Sequence, residues 1–126
     1  MSIEKQLVDF AVNARLEDIP DRTVTFSKYL LAKITASMVK GSGTESAKKL
    51  IRVVTEQGNP DRSAPLIGCG LRSSVEEASF VNGYFAHAAE LEDSTQRNPA
   101  ALDSQSQAHS KATIPCSVAW AEDAQD

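Results

Sequence analysis

Histidine, cysteine and tryptophan are nearly missing from this chain of 126 residues, which holds two, two and one of them. Cys69 and Cys116 follow neither a Cys-x-x-Cys nor a zinc-ligand spacing, so they read as reduced thiols rather than as a disulfide framework or a metal centre. No apolar run approaches the ~20 residues that a membrane-crossing helix needs. Met1-Ser2-Ile3-Glu4-Lys5 lacks the basic segment and apolar core of a secretory signal. A basic excess is missing too: 13 Lys and Arg stand against 17 Asp and Glu, a net charge of −4. A general nucleic-acid binder gains its affinity by neutralising phosphates and releasing counterions, so that class is excluded. The expectation is a cytoplasmic protein that engages neither membrane nor nucleic acid.

What remains is ordinary for a globular chain, with 41% apolar and 24% charged residues, enough for one domain or part of one. Its apolar residues recur at helical spacing. Ile3, Leu7, Phe10, Ala11 and Ala14 predict a first helix from about Ile3 to Leu16, capped by Ser2. Asp18-Ile19-Pro20-Asp21 breaks and restarts the chain. Phe26, Leu30, Ile34 and Met38 carry a second helix from Pro20 to about Lys40, with Gly41 as its left-handed last residue. Ser42-Gly43-Thr44-Glu45 has the form of a capping box for a third helix. That helix sets Ala47, Leu50, Ile51 and Val54 on one side and the solvated cations Lys48, Lys49 and Arg52 on the other. Gln57-Gly58-Asn59-Pro60 ends it.

Ser63 to Gly70, with two glycines and a proline, resists a helix and reads as a short extended segment or loop. Gly68-x-Gly70 lacks the third glycine and flanking βαβ unit of a dinucleotide fingerprint. Ser73 and Ser74 each precede a glutamate by three residues, a doubled capping signal for a fourth helix. Ser94 to Ser110 is a polar loop of unusual length. A final helix follows from about Ile114. The fold class predicted is all-α, with four or five helices and at most one short extended segment near residues 64–70. Phe80, Phe85 and Trp120 are the candidates for an uncovered apolar surface, which favours self-association.

The chemistry concentrates in Asn82-Gly83-Tyr84-Phe85-Ala86-His87-Ala88-Ala89-Glu90-Leu91-Glu92-Asp93-Ser94. At helical spacing His87, Glu90 and Ser94 share one face, with Gly83 one turn earlier. A small residue there lets a backbone or ligand come close. An imidazole, a carboxylate and a hydroxyl within reach of one small molecule suit proton transfer, although spacing alone favours a solvated acidic helix end. His87 and Glu90 are too few for a metal site.

This stretch resembles the signature N-G-x-x-A-H-x-x-D-[FY]-D-D-[ST] of the MmgE/PrpD family, which includes 2-methylcitrate dehydratases, cis-aconitate decarboxylases and iminodisuccinate epimerase. Ile114-Pro115-Cys116-Ser117-Val118-Ala119-Trp120-Ala121-Glu122 is similar to the family's V-I-P-A-A-L-A-L-A-E. Ile19-Pro20 and Gly41 fall where the family has its upstream Pro and Gly positions.

The resemblance implies a lyase or isomerase that moves a proton beside a carboxylate of a small di- or tricarboxylate, with no metal or organic cofactor. It implies Glu90 in place of the family's catalytic Asp and His109 as the proton-handling histidine. Ser94 and Asp93 would contact substrate, with His87, Asn82 and Gly83 supporting them. Family members run to several hundred residues, so residues 1–126 read as the partial N-terminal helical domain. The alternative is an inactive helical module that only folds, oligomerises or complements a partner chain. A homodimer or higher homo-oligomer is expected in either case, and a complementing chain would carry the missing domain.

Overall fold

A computed structural model describes residues 2–89 and 110–124. Those residues form α1 (Ile3–Asn13), a 3-10 turn (Leu16–Asp18), α2 (Asp21–Ser42) and α3 (Glu45–Gln57), then β1 (Ala64–Leu66), β2 (Leu71–Ser73), α4 (Val75–Ala88) and α5 (Ser110–Asp123). The protein is predominantly α-helical, as its periodicity predicts. The expected extended segment is a two-stranded antiparallel hairpin with Ala64 opposite Ser73 and Leu66 opposite Leu71. Among the described residues no helix is long and apolar enough to cross a membrane.

The chain divides into two compact units, Met1–Leu30 and Leu31–Asp126. In the first, the Ser2 hydroxyl accepts the Lys5 N–H and caps α1. The helix stops at Asn13, short of the expected Leu16, because Ala14 turns extended and Leu16–Asp18 tightens into the 3-10 turn. Pro20 then contributes its carbonyl to the N–H groups of Thr23 and Val24 at the start of α2. No residue of α1 is buried. Ile3, Leu7 and Phe10, read from spacing as its apolar side, are 69%, 63% and 69% exposed.

The second unit holds the core. Ile34 and Met38 of α2, Ala47 of α3, Ala64 and Leu66 of β1, Ala119 of α5 and five residues of α4 make one buried cluster. Those five are Val75, Ala78, Val81, Phe85 and Ala86. α4 is its axis, packing on α3, α5 and both strands. Phe85, expected beside Phe80 and Trp120 at an uncovered surface, is instead fully buried, whereas those two are 66% and 57% exposed. A benzyl group withdrawn from water in this way contributes about 2–3 kcal/mol.

Gly41 departs from its expected role. It is helical rather than left-handed, and α2 continues through it to Ser42. A β-carbon at Gly41 would lie 1.8 Å from the Phe85 carbonyl oxygen, so glycine lets α2 meet the backbone of α4. The helical extension also moves the next cap. Ser42, now inside α2, donates its hydroxyl to the Val39 carbonyl at 2.8 Å. Thr44 caps α3 instead, accepting the Ala47 N–H at 3.2 Å. Gly58, at φ 68°, closes α3 in the left-handed conformation that costs glycine least.

Of the two serines that could start α4, Ser74 is the cap, accepting the Glu77 N–H at 3.3 Å. Ser73 ends β2 and donates its hydroxyl to the Glu77 carboxylate. α5 begins at Ser110, four residues before the expected Ile114, because Pro115 lies inside the helix rather than at its start. A proline there has no N–H for the carbonyl one turn back, a cost that internal position must absorb.

Candidate functional site

The signature Asn82-Gly83 falls in the middle of α4, where burial separates the two residues. Asn82 is fully buried. Its Nδ2 donates to the Pro65 carbonyl at 2.9 Å, and its Oδ1 accepts the Ile67 N–H at 2.9 Å. One carboxamide thus satisfies an acceptor and a donor just where β1 ends and the hairpin turns. An Asp could not donate and a Leu could do neither. The side chain clamps α4 to the hairpin.

Gly83 is half-buried, and beyond its chain neighbours and its own helical backbone no heavy atom lies within 4 Å of where its β-carbon would stand. Among the described residues it therefore leaves open space rather than admitting a neighbour. His87 follows four residues later, roughly 40° around the helix from Gly83, and is exposed in the last turn of α4. Asn82 lies roughly 140° from His87 by the same rotation and points into the core. The structure brings Gly83 and His87 to one open side and sends Asn82 to the other.

Glu90, Asp93, Ser94 and His109 lie outside the described residues, and with them the expected helical face joining His87, Glu90 and Ser94. α4 reaches Ala88, two residues before Glu90, and α5 opens at Ser110, directly after His109. These two helices pack against each other.

One residue that spacing did not single out stands here. Lys111, in the first turn of α5, is 3% exposed and is the one charged side chain among the buried described residues. Lysine is almost never fully buried without a partner. Its flanks, Ser110 and Ala112, give no signal that would have told it from a surface lysine.

Among the described residues no three His, Cys, Asp or Glu side chains gather as a metal-ligand set. Cys69 and Cys116 are free thiols. The resolved pKa shifts lie elsewhere. The Lys48 ammonium, 2.6 Å from Glu45, holds that carboxyl below the ordinary glutamate value by hydrogen bond and charge. The Ser2 hydroxyl lowers Glu4 in the same direction.

The family model of the MmgE/PrpD N-terminal domain matches residues 5–126. The chain belongs to the MmgE/PrpD family. No curated protein and no solved structure matches it. In this MmgE/PrpD N-terminal domain Asn82 is a structural clamp between α4 and the hairpin.

Proposed function

We propose that this chain serves as the N-terminal helical portion of a cytoplasmic, cofactor-independent lyase or isomerase that acts on small di- or tricarboxylates. The reaction class is dehydration, decarboxylation or epimerisation by proton transfer. The family match across residues 5–126 carries the reading, since it takes in Asn82–Ser94 and His109 together. Glu90 is the base that removes a proton beside a substrate carboxylate, and His109 handles the proton on its return or on the leaving group. Ser94 and Asp93 contact the substrate, and His87 and Gly83 edge the same side of α4. Glu90 carries one methylene more than the family's usual Asp, which suits a substrate seated differently from methylcitrate.

The test is a chimera in which this domain replaces the matching domain of a full-length family enzyme. It is assayed in deuterated water by proton NMR with cis-aconitate, 2-methylcitrate and iminodisuccinate. Turnover or solvent exchange should fall ~100-fold or more in Glu90→Gln and in His109→Ala. Unchanged exchange in both variants would sink the assignment.

A second reading rests on α1, whose apolar side chains are uncovered. In it the chain is a helical module without turnover of its own that assembles with a second copy or a complementing chain. Sedimentation of the isolated chain tests whether it assembles. Association that weakens in Leu7→Ser and Phe10→Ser supports assembly, and a monomer at high concentration removes it.

A further inference from the structure

A cavity of about 170 Å³ opens between the last turn of α3 and the hairpin, with Arg62 and Arg72 in its wall beside Val54, Leu66, Thr55 and Ser73. No residue lining it is acidic. We infer that it is a binding site for a small polycarboxylate, separate from the signature helix and independent of the activity proposed above.

The two guanidinium groups are held for that purpose by backbone carbonyls. Arg72 donates Nε to the Arg62 carbonyl at 2.7 Å and Nη2 to the Ser63 carbonyl at 2.6 Å. Arg62 donates Nη1 to the carbonyls of Asn59 and Asp61. Each guanidinium has five N–H groups, so four of ten are spent and six remain. The Asp61 carboxylate accepts the Ser63 N–H, and the Glu77 carboxylate takes the Ser73 hydroxyl. Glu122 forms a long ion pair with Arg72 at 4.0 Å, beyond hydrogen-bond distance and half exposed, so it offsets that charge only weakly. Arg62 has no carboxylate partner among the described residues. Two cations on one cavity repel, and an anion between them removes that repulsion.

Shape and chemistry then narrow the ligand. Arginine presents a planar fork that fits carboxylate or phosphate in a bidentate manner, and immobilised forks lose little freedom on binding. A cavity of ~150 Å³ accommodates a benzene-sized molecule. This one is partly open, so it seats the carbon spine of a carboxylate of four to six carbons and leaves its outer groups in solvent. Val54 and Leu66 give an apolar wall for its carbon spine, which bare phosphate would leave unused. The occupied site would brace the hairpin at Leu66, Leu71 and Arg72.

The experiment is an amide NMR titration of the 126-residue chain at low salt with citrate, inorganic phosphate and the neutral propane-1,2,3-tricarboxamide. Citrate should saturate, shifting the amides of Thr55, Leu66, Leu71, Arg72 and Ser73, with phosphate weaker and the triamide silent. Arg62→Gln should weaken citrate at least tenfold, and Arg62→Lys should fall between. Arg62 is exposed, so the amide spectrum elsewhere should not change. Arg72→Gln should weaken citrate as well, with its melting temperature reporting any loosening of the turn. Citrate affinity unchanged in Arg62→Gln, shifts scattered over other cations, or an equal response to the triamide would overturn the site. Phosphate binding tighter than citrate would overturn the polycarboxylate assignment.

Discussion

Gly41 of α2 and Phe85 of α4 meet backbone to backbone: a β-carbon on Gly41 would stand 1.8 Å from the Phe85 carbonyl oxygen and 3.1 Å from its α-carbon. Neither obstacle is the movable end of a side chain. Alanine normally improves a helix by about 1 kcal/mol over glycine, so Gly41→Ala offers a sign test. We expect it to destabilise by about 1–3 kcal/mol through overpacking. Gly83→Ala meets nothing within 4 Å and should stabilise by about 0.5–1 kcal/mol. Urea midpoints of the two variants moving in the same direction would contradict the packing described.

The Asn82 clamp predicts a localised loss. Asn82→Ala leaves the Pro65 carbonyl and the Ile67 N–H without their partner, and we expect a cost of about 2–3 kcal/mol. Hydrogen exchange at the Ile67 amide should accelerate more than at amides in the middle of α3. Uniform acceleration would mean that the clamp has no local character.

Burial makes neighbouring phenylalanines unequal. Phe85→Ala should cost about 3–5 kcal/mol, the usual loss for emptying a core ring site. Phe80→Ala, at a ring 66% exposed, should change the urea midpoint little. Comparable losses would refute the orientation of α4.

Glu45 sets a pH dependence. Its folded pKa is depressed by the hydrogen bond and charge of Lys48, so its contribution is present above the unfolded value. It is lost as pH falls through the folded one. Because the pair is exposed, salt should screen it. Glu45→Gln should be slightly less stable than the parent at pH 7 in low salt, with the gap closing in acid and in high salt. A gap that widens in acid would reverse the sign.

How much of this could be read beforehand depended on where each residue's partner lies in the chain. Ser2 and Gly58 were legible because their capping partners are a few residues away. Gly41 was not: a glycine near the end of a periodic run looks alike whether it stops a helix or admits another, and Phe85 is far along the chain. Thr44 took the cap from Ser42 for the same reason, since the contact that extends α2 is tertiary. Asn82 stood out as part of a pattern, yet its partners Pro65 and Ile67 lie 17 and 15 residues earlier in the hairpin, so its structural duty appeared only in three dimensions. The burial of Lys111 has no local correlate at all. Of the candidate site, His87, Gly83 and Asn82 have been placed. The acids, Ser94 and His109 fall outside the described residues.

The Asn82 clamp also bears on chemical ageing. Asn-Gly is the dipeptide most prone to deamidation, because the unhindered glycine nitrogen can attack the asparagine side-chain carbonyl and form a succinimide. In α4 that carbonyl oxygen is engaged by Ile67, its amide nitrogen by Pro65, and the helical backbone holds the attacking nitrogen out of line. The reaction must wait for α4 to open. Slow conversion of Asn82 to aspartate and isoaspartate, followed by mass spectrometry, is therefore a clock for the local unfolding of this helix, and each tick is irreversible.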